Sequence, residues 1–95
     1  MDKLFISMFL SERGGKTRQK IVIKLLKRPY NANQLSKKIN MQYRTIKHHL
    51  NILLEENIIE KENKKYGALY SISYKMKRDE KNFEKFKKQI QELNS

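Results

Sequence analysis

The chain has 95 residues, with 22 Lys and Arg against 10 Asp and Glu, a net charge of +12 and no cysteine. That length limits it to one small domain with one modest core, and the missing thiols exclude disulfides, thiolate metal sites and a cysteine nucleophile. Between Arg13 and Leu54 stand eleven Lys and Arg and not one Asp or Glu, so this segment repels itself unless a polyanion neutralises it: nucleic acid first, an acidic membrane surface second.

Residues 2–11 read as a short apolar helix carrying Leu4, Phe5, Met8 and Phe9. The run is far shorter than the ~20 residues that span a bilayer, and it lacks the basic leader and small-residue cleavage site of a signal peptide. A cytoplasmic, nucleoid-associated protein is the expectation. The next stretch, Arg13-Gly14-Gly15-Lys16-Thr17-Arg18, ends as a nucleotide-binding P-loop ends. That motif needs a further glycine upstream, where Leu10 stands, and a buried strand before it. The segment instead opens a helix, whose free N–H groups and positive dipole end favour an anion near Lys16 and Arg18. A DNA phosphate fits; a solvated loop without a ligand is the alternative. Thr17 is the expected cap, Ile21, Val22, Leu25 and Leu26 the core stripe, and Pro29 the stop.

Asn31 with Gln34 has the spacing of a capping box and starts a short helix with Leu35 and Ile39 facing inward. Asn40 is suited to a left-handed turn, and Met41 to a core position between two helices. A third helix over 42–56 buries Ile46, Leu50 and Leu53, which turns Arg44, His48, Asn51 and Glu55 to the opposite side, with Lys47 on the flank. Asn57 ends it, again left-handed. Strands over 58–63 and 68–74, joined by Lys64-Lys65-Tyr66-Gly67, form a β-hairpin. Last, Phe83, Phe86, Ile90 and Leu93 form an a/d seam, with Met76 one heptad earlier. This narrow stripe predicts a C-terminal amphipathic helix within 76–95 that pairs with a partner subunit; packing back on its own domain is the alternative.

The constellation from Asn31 to Tyr74 predicts a helix-turn-helix followed by a hairpin wing: a mostly α fold with a β-hairpin, carrying extra helices at 1–11 and 76–95 around a DNA-binding domain at 12–75. The second helix of the motif would enter the major groove by its N-terminal half, where Gln42, Tyr43 and Thr45 lie. Arg44 can reach guanine O6 and N7, and Asn51 adenine N6 and N7. Lys47 suits a phosphate, His48 either kind of contact, and Lys64 and Lys65 the backbone beside the minor groove, where they release counterions. For any one of these residues a merely solvated side chain is the alternative; the set as a whole is far less ambiguous. The adjacent His48 and His49 point about 100° apart on a helix and make a poor metal site; no cofactor is expected.

Several stretches resemble a known family. Thr45-Ile46-Lys47-His48-His49-Leu50-Asn51-Ile52-Leu53-Leu54-Glu55-Glu56-Asn57-Ile58-Ile59 is similar to the recognition-helix signature of ArsR-like winged-helix regulators, which reads roughly T-V-S-R-H-L-K-V-L-x-E-x-G-L-V. Gly14-Gly15-Lys16-Thr17-Arg18, Arg28-Pro29-Tyr30-Asn31-Ala32-Asn33-Gln34-Leu35 and Tyr43 to Leu50 together resemble archaeal members. The resemblance, over about residues 11–74, implies a dimeric DNA-binding transcription regulator in which His49 is partly buried and Lys47 and His48 face DNA. The chain departs from the pattern at Asn40 and Asn57, where the family has glycine, and it lacks the cysteines of the metal-sensing members, so metal-responsive derepression does not carry over.

These readings converge on a sequence-specific homodimer on double-stranded DNA, with Leu4, Phe5, Met8, Phe9, Phe83, Phe86, Ile90 and Leu93 as its dimer contacts. A protein-interaction or non-specific architectural module is the second reading. An enzyme fares badly without a P-loop, a thiol or a carboxylate near the histidines. Membrane-surface binding by the first helix is the fourth; its short length and the core downstream favour burial in a dimer interface instead.

Overall fold

The computed structural model describes residues 2–94. Helix α1, Lys3–Phe9, starts at Asp2, whose side chain accepts a hydrogen bond from the Phe5 N–H at 2.7 Å. Phe5 and Phe9 lie one turn apart on its buried face, with ring centroids 5.2 Å apart.

Helix α2, Gly15–Lys27, begins two residues before the Thr17 that was expected to cap it. The cap is Gly14, at φ 85°, a conformation that side chains with a Cβ disfavour. A Cβ at Gly14 would also fall on His49 Cε1 and within 2.8 Å of the Arg18 guanidinium. Thr17 instead packs its hydroxyl 3.5 Å from Met41 Sδ. Ile21, Val22 and Leu25 are buried as the periodicity predicts, and Arg28, extended before Pro29, ends the helix.

Strand β1, Tyr30–Asn31, is an element that two residues cannot announce by any period. It pairs antiparallel with β3, Leu69–Ile72, which also pairs with β2, Ile59–Lys61, giving the order β1-β3-β2. The hairpin is therefore anchored across a third strand, with Tyr30 and Lys61 both opposite Tyr70. Tyr70 and Ile72 point into the core, as the alternation requires, but Tyr74 has left the strand and is exposed.

Helix α3, Ala32–Ile39, carries both arms of the capping box: the Gln34 N–H donates to Asn31 Oδ1 at 2.8 Å, and the Asn31 N–H to Gln34 Oε1 at 2.9 Å. Asn40 is left-handed at φ 62°. Ser36 Oγ donates to the Met41 carbonyl at 2.6 Å and tightens the turn into α4, Tyr43–Glu55. Asn57, at φ 58°, ends the passage from α4 to the wing. Leu35, Ile46, Leu50 and Leu53 are fully buried where α3 and α4 pack together.

The C-terminal segment differs from the predicted seam. Ser73 caps a short helix α5, Tyr74–Arg78, and Asp79 breaks the backbone before capping α6, Glu80–Leu93. Met76 and Phe83 are thus on different helices, and the heptad between them is not continuous. The α6 stripe folds back on its own chain: Phe86 meets Phe5 and Phe9 at centroid distances of 6.0 and 5.7 Å, and Ile90 is fully buried. Phe5, Phe9 and Ile90, expected between subunits, are core residues of one chain, because α1 and α6 close the open side of α2. Ile90→Ala should lower unfolding free energy by about 2–5 kcal/mol. Urea titrations at several protein concentrations check this: the loss should be the same at each, since the contact is within one chain.

Candidate nucleic-acid interface

The α3-turn-α4 unit leaves the outer side of α4 in solvent. Gln42, Tyr43, Arg44, His48 and Asn51 are exposed there, and Thr45 and Lys47 are half-buried at its margin. Nothing acidic interrupts this row until Glu55. Lys16 is exposed in the first turn of α2, next in the chain to the Thr17 that touches the turn before α4. Lys64 and Lys65 are exposed at the wing, where Lys65 Nζ sits 5.5 Å from the centre of the exposed Tyr66 ring.

Lys47 stands apart from its neighbours on α4. Its ammonium donates to the Tyr70 hydroxyl at 3.1 Å, which ties the recognition helix to the central strand of the sheet. That hydrogen bond raises the lysine above its ordinary pKa, outweighing the opposing effect of burial, so the ammonium stays charged. Lys61 Nζ lies 5.9 Å from the centre of the same ring. A cleft of about 320 Å³ opens here between α4, the start of α3 and the wing. Among the described residues its wall includes Lys47, Lys61, Lys64 and Lys65 with Tyr43 and Tyr70, and no carboxylate. Neither Lys61 nor Tyr70 was picked out from the sequence as a site residue. The signal was available in their cross-strand pairing, which requires the register.

Arg18 does not join this surface. It is 5% exposed, and its guanidinium points inward. Nε donates to the Met8 carbonyl at 2.7 Å; Nη2 reaches the Ser7 and Arg13 carbonyls and Ser11 Oγ at 3.4, 3.3 and 3.1 Å; Nη1 lies 3.0 Å from His49 Nδ1. The expected phosphate contact is replaced by a structural one, because the end of α1 and the 11–13 loop fold over the side chain. Since arginine only donates, His49 accepts through Nδ1 and carries its proton on Nε2. His49 is buried, in line with the family resemblance.

The Gly-Lys-Thr stretch lies inside α2 and follows a helix, which is not the geometry of a phosphate-cradling loop. Among the described residues no group of His, Asp or Glu could hold a metal ion, and no helix is long and apolar enough to cross a membrane. What this surface offers is a row of hydrogen-bonding side chains on a helix beside a cationic cleft, a form suited to base edges flanked by phosphates. Residues 15–61, the whole helix-turn-helix and the first wing strand, match the model of bacterial regulatory proteins of the arsR family. The chain belongs to the arsR family of regulatory proteins. The fold is similar to that of HlyU from Vibrio cholerae N16961, at a TM-score of 0.65 and 17% identity, over 98% of this chain and 94% of that one. Among curated proteins none matches. This arsR-type chain is accordingly a DNA-binding transcriptional regulator built as a winged helix-turn-helix.

Burial, then the nearby Arg18 and His48, hold the His49 pKa below its ordinary value of about 6.5. In the unfolded chain the imidazole takes up its proton at the ordinary value. Between the two values the unfolded state binds more protons, so this contribution to stability is complete above about 6.5 and is lost as pH falls through the window below it. His49→Gln keeps an acceptor for Arg18 and does not titrate. Urea midpoints from pH 7.5 to 5 should therefore fall more steeply for the wild type than for this variant.

Proposed function

We propose that the protein is a sequence-specific regulator that binds double-stranded DNA as a homodimer, with α4 in the major groove and the wing on the backbone beside it. The observation that carries this is the acid-free row Tyr43, Arg44, His48 and Asn51, exposed on the N-terminal three turns of α4 beside the lysine cleft. Arg44 reads guanine, Asn51 reads adenine, and Gln42, Tyr43 and Thr45 make contacts near the point where the helix enters the groove. Lys16, Lys47, Lys64 and Lys65 supply phosphate contacts. The site of action that follows is the cytoplasm, on the nucleoid. No catalytic group and no cofactor is assigned.

The dimer contact that suits this fold is the outer side of α1. Ile6 and Leu10, 46% and 42% exposed, lie on one flank of its buried stripe, and Leu4, 40% exposed, lies with the half-buried Met8 on the other. Phe83 and Leu93 of α6, both half-buried, pack against the same core near opposite ends of that helix. A two-fold dimer would present two α4 helices to half-sites about one helical turn apart.

Selection from random duplexes tests the reading: an inverted repeat supports a specific dimer, and a flat profile supports the architectural alternative. Arg44→Ala should cost about 1–3 kcal/mol and relax preference at one base position. Lys64→Ala and Lys65→Ala should weaken every duplex alike and flatten the log–log salt slope by roughly one each. In sedimentation, Ile6→Glu should shift the protein to the monomer, because it places a charge in the apolar contact.

A further inference from the structure

Three facts meet in the cleft between α4 and the wing. The Lys47 ammonium is held by the Tyr70 hydroxyl at 3.1 Å, although Lys47 belongs to the helix that faces solvent. Tyr70 is 2% exposed and sits on the central strand, so its hydroxyl is a fixed point rather than a mobile one. Lys61 is directly opposite Tyr70 across the ladder, and its ammonium lies over the same ring.

An ammonium has three N–H donors, and the tyrosine takes one. The other two remain for a ligand, and the charge is not cancelled, since the partner is neutral. A carboxylate in the place of Tyr70 would have taken both charge and donors. A free lysine side chain would otherwise lose rotamer freedom on contacting a phosphate; here that ordering is already present in the protein.

We propose that Lys47 and Lys61 clamp one backbone phosphate between the recognition helix and the wing, and that Tyr70 is the positioning residue that holds Lys47 for it. This rests on the DNA-binding reading above and goes beyond it by assigning one phosphate to two lysines and a buried tyrosine. The clamp fixes the register of α4, because phosphate contacts set where the base-reading side chains fall.

The test is a neutral-phosphate scan on the selected duplex. Single backbone phosphates are replaced by methylphosphonate, and anisotropy measures affinity for the wild type, Lys47→Ala, Lys61→Ala and Tyr70→Phe. Each result is a ratio between two duplexes for one protein preparation, so a partly unfolded variant does not distort it. Wild type should lose about tenfold at one phosphate per half-site. Lys47→Ala should be insensitive at that position, Tyr70→Phe and Lys61→Ala less sensitive than wild type, and all should keep their sensitivity at the other phosphates. On intact duplex Tyr70→Phe should weaken binding about 2- to 10-fold, and should add nothing once Lys47 is alanine. If Tyr70→Phe keeps the full wild-type sensitivity at the Lys47 phosphate, or weakens Lys47→Ala by the same factor as wild type, the clamp is wrong while the DNA-binding reading stands. If wild type binds no duplex, both fall together.

Discussion

The arrangement of this fold depends on one buried guanidinium. Arg18 binds the last carbonyls of α1, the loop after it and the imidazole of His49 on α4. Removing a charge from water is costly unless its hydrogen bonds are remade. Arg18 therefore stabilises the fold only when α1, the loop and α4 are all in place. Gly14 completes the constraint: the chain must pass so close to His49 and Arg18 that no side chain fits. The N-terminal helix and the DNA-facing helix are in this way parts of one polar junction, and a change in the packing of α1 is felt directly beneath α4.

A second set of constraints aims α4. Two left-handed asparagines, Asn40 and Asn57, bracket it. The first turns the chain from α3 into α4, the second from α4 into the wing, where Ser73 Oγ locks the exit by donating to the Asn57 carbonyl at 2.7 Å. Asparagine adopts this conformation at moderate cost, so the turns survive where the family pattern has glycine. With both ends fixed, the direction of Arg44, His48 and Asn51 follows from helix geometry alone.

Local features were legible in the sequence and tertiary ones were not. The Asn31–Gln34 box, the left-handed asparagines, the apolar line Ile46, Leu50, Leu53 and the exposed row opposite it depend on neighbours within a few residues, and each is where its spacing placed it. Arg18 was misread because a cation beside Lys16 at a helix start looks solvent-facing until the carbonyls that cover it, Met8 and Arg13, are brought in from another element. The C-terminal seam was misread for a related reason. The spacing of Phe83, Phe86, Ile90 and Leu93 specifies a stripe but not its partner, and the Asp79–Asn82 cap that separates α5 from α6 leaves an apolar heptad pattern intact. Strand β1 is too short to carry a period, yet without it the placement of Tyr70 opposite Tyr30, and so the anchor for Lys47, has no frame.

The acid-free segment raises a last physical question: how a folded protein orders so many cations without carboxylates. Aromatic rings provide part of the answer. Arg28 and Lys38 lie 4.2 and 5.5 Å from the centre of the Tyr30 ring, and Lys61 lies 5.9 Å from that of Tyr70, whose hydroxyl accepts from Lys47. A ring face attracts a cation by roughly 0.5–1 kcal/mol at an exposed site. That is comparable to an exposed ion pair, but it leaves the net charge and most of the N–H donors untouched. Replacing these tyrosines by acids would order the same side chains and remove the field that attracts a polyanion. Seating cations on paired tyrosines across β1 and β3 orders them near the recognition helix while keeping them positive, which is the condition a phosphate-binding surface has to meet.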